Sequence, residues 1–195
     1  QLDGKHDGNL SDYWGGMDDL KNGIIRVLHS LSFVDDPTRM LRAVRFEQRF
    51  GFQIEERTLE LLTEAKPLLK QVSGDRIRHE IDLILQERMA VDILQRLDQL
   101  GLLQVIDPDF SFSKKTAALL QFIMETKPSE QWQLPQKIGK SSLELVTRYC
   151  ILLGSHNEET LRRIGARLKL PAVTQASIQQ THSLIQQFPT LIDKQ

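Results

Sequence analysis

The sequence predicts an all-α protein preceded by a short non-helical segment. Three observations carry that reading. Apolar residues recur at three- and four-residue intervals from residue 36 almost to the end. The β-branched alternation of a sheet is missing after residue 35. Glycines, prolines and capping residues divide the chain into segments of helical length.

Residues 1–22 are rich in Gly and Asp and hold little periodic apolar pattern; QLDGKHDGNLSD reads as an exposed loop. Ile24, Ile25, Val27 and Leu28 form a short apolar stretch, either a last strand or a linker. A first helix is expected from about Asp36 to Phe50, stopped by Gly51. A second covers about Glu55 to Gln71, with Leu59, Leu62, Ala65 and Leu69 on one face and Pro67 kinking or ending it. Ser73 is placed as the N-cap of a third, where Arg76, Ile77, Glu80, Ile81 and Ile84 recur at helical spacing. MAVDILQRLDQLGLL is helical until Gly101, IDPDFSFS is a loop, and KKTAALLQFIMET is helical again. Residues 127–140 read as a polar connector containing Trp132. Helices near 141–153, 157–169 and 171–187 follow, with Pro171 opening the last.

Of the 195 residues, 40% are hydrophobic and 26% charged, a globular composition suited to one domain or two small ones. Lys and Arg number 25 against 26 Asp and Glu, so any anion site must come from local clustering. One cysteine, Cys150, excludes an internal disulfide and fits a reducing cytoplasm. No apolar run approaches the roughly 18 residues of a membrane span, and no signal peptide is visible. No membrane partner is therefore expected. Because the chain opens at Gln1 in a loop-like stretch, it is expected to begin in the middle of a larger protein.

The stretch SFVDDPTRMLRAVRF, residues 32–46, holds the unusual chemistry. Asp36 and Pro37 suit a helix start. At about 100° per residue, Arg42, Arg45 and Arg49 share one side, with Arg39 at its edge and Met40, Ala43 and Val44 opposite. A solvated basic face paired to neighbouring acids is the plain explanation. The choice of Arg over Lys points instead to a planar or anionic ligand, which the guanidinium fork binds bidentately. Asp36 and Arg39 are three apart and can face outward together. A carboxylate only accepts and a guanidinium only donates. Adenine and cytosine show an amino donor beside a ring-nitrogen acceptor, whereas guanine and uracil show an oxygen acceptor beside an N–H. A fixed Asp/Arg pair therefore favours A and C, by about 1–3 kcal/mol per base. Either Asp35 or Asp36 could cap the helix while the other reads.

DDPTRMLRAVRF resembles the EDPLRMLRAVRF-type motif of class II tRNA nucleotidyltransferases and bacterial poly(A) polymerases. DYWGGMDDLKNGIIR is similar to their D-P-x-G-G-x-x-D-L-x-x-x-x-I-R segment, and SGDRIRHEIDLIL to their E-R-I-x-x-E-L-x-x-I-L helix. The three lie in the family's order and cover about residues 12–87.

The resemblance implies residues 1–30 as the end of an α/β nucleotidyltransferase head, 31–100 as a helical neck that reads the base, and 101–195 as a helical body. It implies template-independent addition of A, or C and A, from ATP or CTP to the 3′ end of tRNA; poly(A) addition shares the same motifs. Asp36 and Arg39 would read the base, Arg42 would hold the nucleotide or its phosphates, and Asp35 and Arg45 complete the nucleotide-binding candidates. Arg76 and Glu80 would brace the neck. Asp35 and Asp75 stand where the family has Glu, and Tyr13 where it often has Pro. In the family the G-G-x-V-R-D, D-x-D and R-R-D segments lie N-terminal to these motifs, and none occurs in residues 1–35. Mg²⁺ would be bound by that head, so no catalytic or metal-binding residue is assigned and the 195 residues alone are expected to be inactive.

Lys114 and Lys115, and the cluster Arg162, Arg163, Arg167 and Lys169, are candidate RNA contacts. Adjacent Asp18 and Asp19 diverge and suit capping or surface roles rather than metal binding. Gly15-Gly16 reads as a turn. His79 reads as a plain helix residue, and Trp14 and Trp132 as packing or interface residues. Two further readings compete: a non-catalytic helical RNA-binding or scaffold module, and a helical domain that senses ATP without transferring it.

Overall fold

The computed structural model describes residues 12–192, with side chains to residue 187. The loop expected over residues 1–11 lies outside the described residues. The rest is mostly helical, as the apolar periodicity predicts from residue 36 onward. A seven-residue helix, α1 (Gly16–Asn22), comes first; the sequence holds no periodic signal for it. Its start is fixed by Asp12, which accepts from the amides of Trp14, Gly16 and Met17. Gly15, at φ 73°, makes the expected turn. Asp18 and Asp19 occupy the first turn, and Asp19 pairs with Arg26 at 3.0 Å.

The apolar stretch GIIRVL supplies a two-residue strand, β1 (Ile24–Ile25). It pairs in parallel with β2 (Gln53–Ile54), Ile24 opposite Gln53 and Ile25 opposite Ile54. Strand pairing after residue 35 was not expected, and two residues are too few to show alternation. Between these strands lie α2 (Ser32–Asp35) and α3 (Thr38–Phe50). Helix α3 ends at Gly51 in the left-handed region, φ 65°, as expected.

Helix α4 (Glu56–Ala65) passes into a 3-10 turn, Lys66–Gln71, at Pro67. Helix α5 (Gly74–Gln86) follows Ser73, but the Ser73 side chain makes no capping hydrogen bond, contrary to expectation. Next come α6 (Ala90–Gln99) and α7 (Leu102–Ile106), separated at Gly101. Helix α8 (Lys114–Glu125) is capped by Ser113. The connector contains a short antiparallel pair, β3 (Lys137–Ile138) and β4 (Ser141–Ser142). Helices α9 (Leu143–Leu153), α10 (Glu158–Arg167) and α11 (Ala172–Ile192) complete the fold.

One continuous core runs through these helices, from Phe33, Met40 and Leu41 through Ile77, Ile81 and Leu97 to Tyr149 and Ile164. Helix α3 packs on α5 and α6, and α9 packs on α5, α8 and α11. Helix α5 therefore touches both ends of the molecule. Its N-terminal turn meets the link between α10 and α11 through backbone carbonyls. Arg78 donates to the carbonyls of Leu168 and Lys169, and Arg167 to those of Leu69 (3.1 Å) and Lys70 (3.2 Å). Arg148 reaches the carbonyl of Leu85 from α9. Trp14 and Trp132, expected to pack or sit at an interface, are exposed within the chain.

Candidate functional site

Asp36 lies between α2 and α3 in extended backbone, φ −145° and ψ 95°. It is not in the first helical turn, so Asp36 and Arg39 do not project from a shared helix face as the spacing predicts. Its Oδ1 accepts three hydrogen bonds: the Thr38 amide at 3.0 Å, the Thr38 hydroxyl at 2.6 Å and Arg76 Nη2 at 2.7 Å. Its Oδ2 accepts none from a described residue. Partial burial favours the neutral acid, but the Thr38 hydroxyl and amide, with Arg76, outweigh it and hold the carboxyl below its usual value. The capping question left open by the sequence resolves to Asp36. Asp35 is exposed at the end of α2, 3.8 Å from His29 Nε2.

The arginine stripe divides in two. Arg45 is buried, 3.6 Å from Glu80 and 3.4 Å from Glu87, and Arg49 lies 3.1 Å from the same Glu87. Arg45 also sits over Phe46 and Arg49 over Phe50. This half corrects the picture of one basic face: α3 packs on α5, so the C-terminal arginines meet the acids there. Arg39 and Arg42 are exposed and make no ion pair among the described residues. Arg39 makes only a long 3.4 Å contact to the Ser32 carbonyl.

An open cleft of about 510 Å³ lies between α3 and α5, lined by Asp36, Thr38, Arg42, Arg45, Asp75, Arg76, His79, Glu80 and Leu83. It gathers three of the nucleotide-binding candidates, Asp36, Arg42 and Arg45, with both bracing candidates, Arg76 and Glu80. Asp35 and Arg39 are not part of its lining. Burial raises the Glu80 carboxyl above its usual value, against the pull of Arg45 and Arg42. Glu80 Oε2 and Arg45 Nε are buried without a hydrogen bond. Arg76 does more than brace within α5, since it bonds Asp36 across the cleft. Thr38 was missed by the sequence reading. Its signal was present, because a Thr two residues after a capping Asp is well placed to share the cap.

The RNA-contact candidates also divide. Lys114, Lys115 and Arg162 are exposed, with no ion pair among the described residues. Arg163 is held by Asp107 at 2.9 Å and by Asp109 and Glu159. Arg167 is held by two carbonyls, as described above, and Lys169 by Asp75 at 2.8 Å. Among the described residues, no three His, Cys, Asp or Glu side chains converge as they would around a metal ion.

A family model described as the probable RNA and SrmB-binding site of polymerase A matches residues 51–114. An A-adding tRNA nucleotidyltransferase of Geobacter sulfurreducens is 45% identical over 127 residues, covering 64% of this chain and 14% of that protein. A CCA-adding enzyme of Bacillus velezensis is 29% identical over 218 aligned residues, covering 94% of this chain and 54% of that enzyme. Among solved structures, a CCA-adding enzyme in complex with ATP matches with a TM-score of 0.75 at 31% identity, covering 93% of this chain and 42% of that one. The Thermotoga maritima CCA-adding enzyme complexed with tRNA matches with a TM-score of 0.73 at 31% identity, covering 93% of this chain and 43% of that one. The chain thus spans 14% of the first relative and 54% of the second.

Proposed function

Since the chain belongs to the tRNA nucleotidyltransferase family, we propose that it supplies the base-recognising and RNA-binding helices of an enzyme that adds A, or C and A, to the 3′ end of tRNA. In this reading residues 31–100 are the neck, 101–195 the body and 1–30 the end of an α/β head. ATP and CTP are the nucleotide partners, and Mg²⁺ and its carboxylates belong to the head. The setting is the cytoplasm. No helix among the described residues is long and apolar enough to cross a membrane.

The observation that carries this reading is the state of Asp36. One oxygen is saturated by protein donors, the other accepts no hydrogen bond from a described residue, and Asp36 lines a cleft together with Arg42, which makes no ion pair among the described residues. In this reading Arg39, which lies outside the cleft lining, gives up its long contact to Ser32 and turns towards Asp36 to supply the complementary donor when a base binds. The acceptor and donor together match adenine and cytosine and oppose guanine and uracil.

Calorimetric titration of the chain with ATP, CTP, GTP and UTP tests this. Preference for ATP and CTP, lost in Asp36→Ala and in Arg39→Ala, is the expected result; equal binding of all four overturns it. Transfer of nucleotide to tRNA by the 195 residues alone would contradict the assignment of catalysis to a separate head.

A second reading, an RNA-binding module with no nucleotide role, draws on the match of residues 51–114 to an RNA-binding family model. RNA binding without nucleotide discrimination would favour it.

A further inference from the structure

Thr38 is 4% exposed, yet its hydroxyl is fully engaged. It donates to Asp36 Oδ1 at 2.6 Å, the shortest of the three bonds that oxygen receives, and lies 3.5 Å from Arg76 Nη2. The Thr38 amide donates to the same oxygen at 3.0 Å. A carboxylate on a short side chain can rotate about its last bond and exchange its two oxygens. Three donors converging on one oxygen oppose that rotation.

We propose that Thr38 is a positioning residue for base selection, its hydroxyl holding Asp36 with Oδ1 turned inward and Oδ2 presented to the incoming base. The inference rests on the base-reading role of Asp36 proposed above. An acceptor fixed in one orientation rejects guanine and uracil, whose oxygens would face it. A rotating carboxylate would shift to relieve that repulsion. The Thr38 amide and Arg76 remain when the hydroxyl is removed, so selection weakens rather than disappears.

The test compares Thr38→Val and Thr38→Ser with the wild-type chain. Valine keeps the buried volume and removes the donor; serine keeps the donor. The ATP-to-GTP affinity ratio from calorimetry is expected to fall about fivefold in Thr38→Val, the worth of one net hydrogen bond, and to stay near the wild-type value in Thr38→Ser. The Asp36 carboxyl, followed by carbon-13 NMR, is expected to titrate at higher pH in Thr38→Val and at its wild-type midpoint in Thr38→Ser, a readout that a purely space-filling Thr38 would not move. An unchanged ratio and midpoint in a folded Thr38→Val overturns the proposal. Should valine unfold the chain, Thr38→Ser decides: a wild-type ratio and midpoint support the proposal, and loss of either overturns it. Should the wild-type chain show no preference among nucleotides, the base-reading role fails by itself, and the Asp36 midpoint in the two variants still decides whether Thr38 holds the carboxylate.

Discussion

Gly74 and Arg167 meet so closely that a Cβ on Gly74 would overlap the Arg167 carbonyl oxygen. The contact joins the first turn of α5 to the end of α10, across a separation of 93 residues in sequence. The position needs glycine for close backbone approach, not for a left-handed turn. Gly74→Ala is expected to destabilise the chain by about 1–3 kcal/mol, since the obstructing atom is backbone and cannot rotate away. Urea unfolding measures it; a change below about 0.5 kcal/mol would mean that the two helices separate freely.

Arg45 and Glu80 should respond unequally to substitution. Glu80 has a raised folded-state pKa, with burial as the main cause. A group raised in the folded state contributes stability at low pH and loses it as pH rises through the folded value. Folding therefore disfavours the ionised form of Glu80, and Glu80→Gln is expected to change stability by less than about 1 kcal/mol. Arg45→Met leaves Glu80 and Glu87 without their shared cation and is expected to cost about 3–5 kcal/mol. Equal effects in chemical denaturation at pH 7 would contradict this account.

Tyr149 and Asp82 join α9 to α5 through a 2.6 Å hydrogen bond from the phenol to the carboxylate. Burial raises the Asp82 carboxyl, while the phenol opposes that rise; burial and then Asp82 push the phenol well above its usual value. Tyr149→Phe removes the donor, so the Asp82 pKa should climb further. By the same sign rule, the variant's stability deficit grows as pH increases from about 4 towards 8. A deficit of about 1–3 kcal/mol is expected at pH 8, smaller at pH 4. A pH-independent deficit from urea titrations would show that Asp82 stays neutral in both proteins.

Salt dependence separates the candidate RNA contacts. If Lys114, Lys115 and Arg162 touch phosphates, replacing each by Ala should lower the slope of log affinity against log salt by about one unit. Arg163→Ala should leave that slope unchanged and instead destabilise the link to Asp107, whose carboxyl is held low chiefly by the Arg163 hydrogen bond. That deficit should be present at neutral pH and vanish as pH falls through the Asp107 pKa, where the wild type loses the bond as well. A reduced slope in Arg163→Ala would assign it to RNA.

Helix order was legible because apolar spacing repeats over many residues, and Gly51, Pro67 and Gly101 mark the breaks by backbone geometry alone. Helix α1 and the parallel pair of β1 with β2 were not, because each is too short to carry a period and the pairing joins residues nearly thirty apart. The arginines at 39, 42, 45 and 49 were visible as a group, but their division into exposed and ion-paired halves depends on Glu80 and Glu87, which no local pattern brings near. Asp36 was singled out by its motif, and it lines the cleft between α3 and α5. Its orientation required Arg76, forty residues away, and a threonine that carries no charge to attract notice.

The guanidinium groups of Arg78, Arg148 and Arg167 all dock on peptide oxygens, and Arg78 and Arg148 also pair with Asp75 and Glu144 on their own helices. Every residue type offers that oxygen, so the exposed Lys70 can drift through substitution without unlatching the two ends of the molecule, whereas Leu69, Leu85 and Leu168 are held by their own burial in the core. The cationic partners have no such latitude. What limits substitution on the receiving side of this seam is apolar packing, not the latch itself, which is strict only where it is thrown.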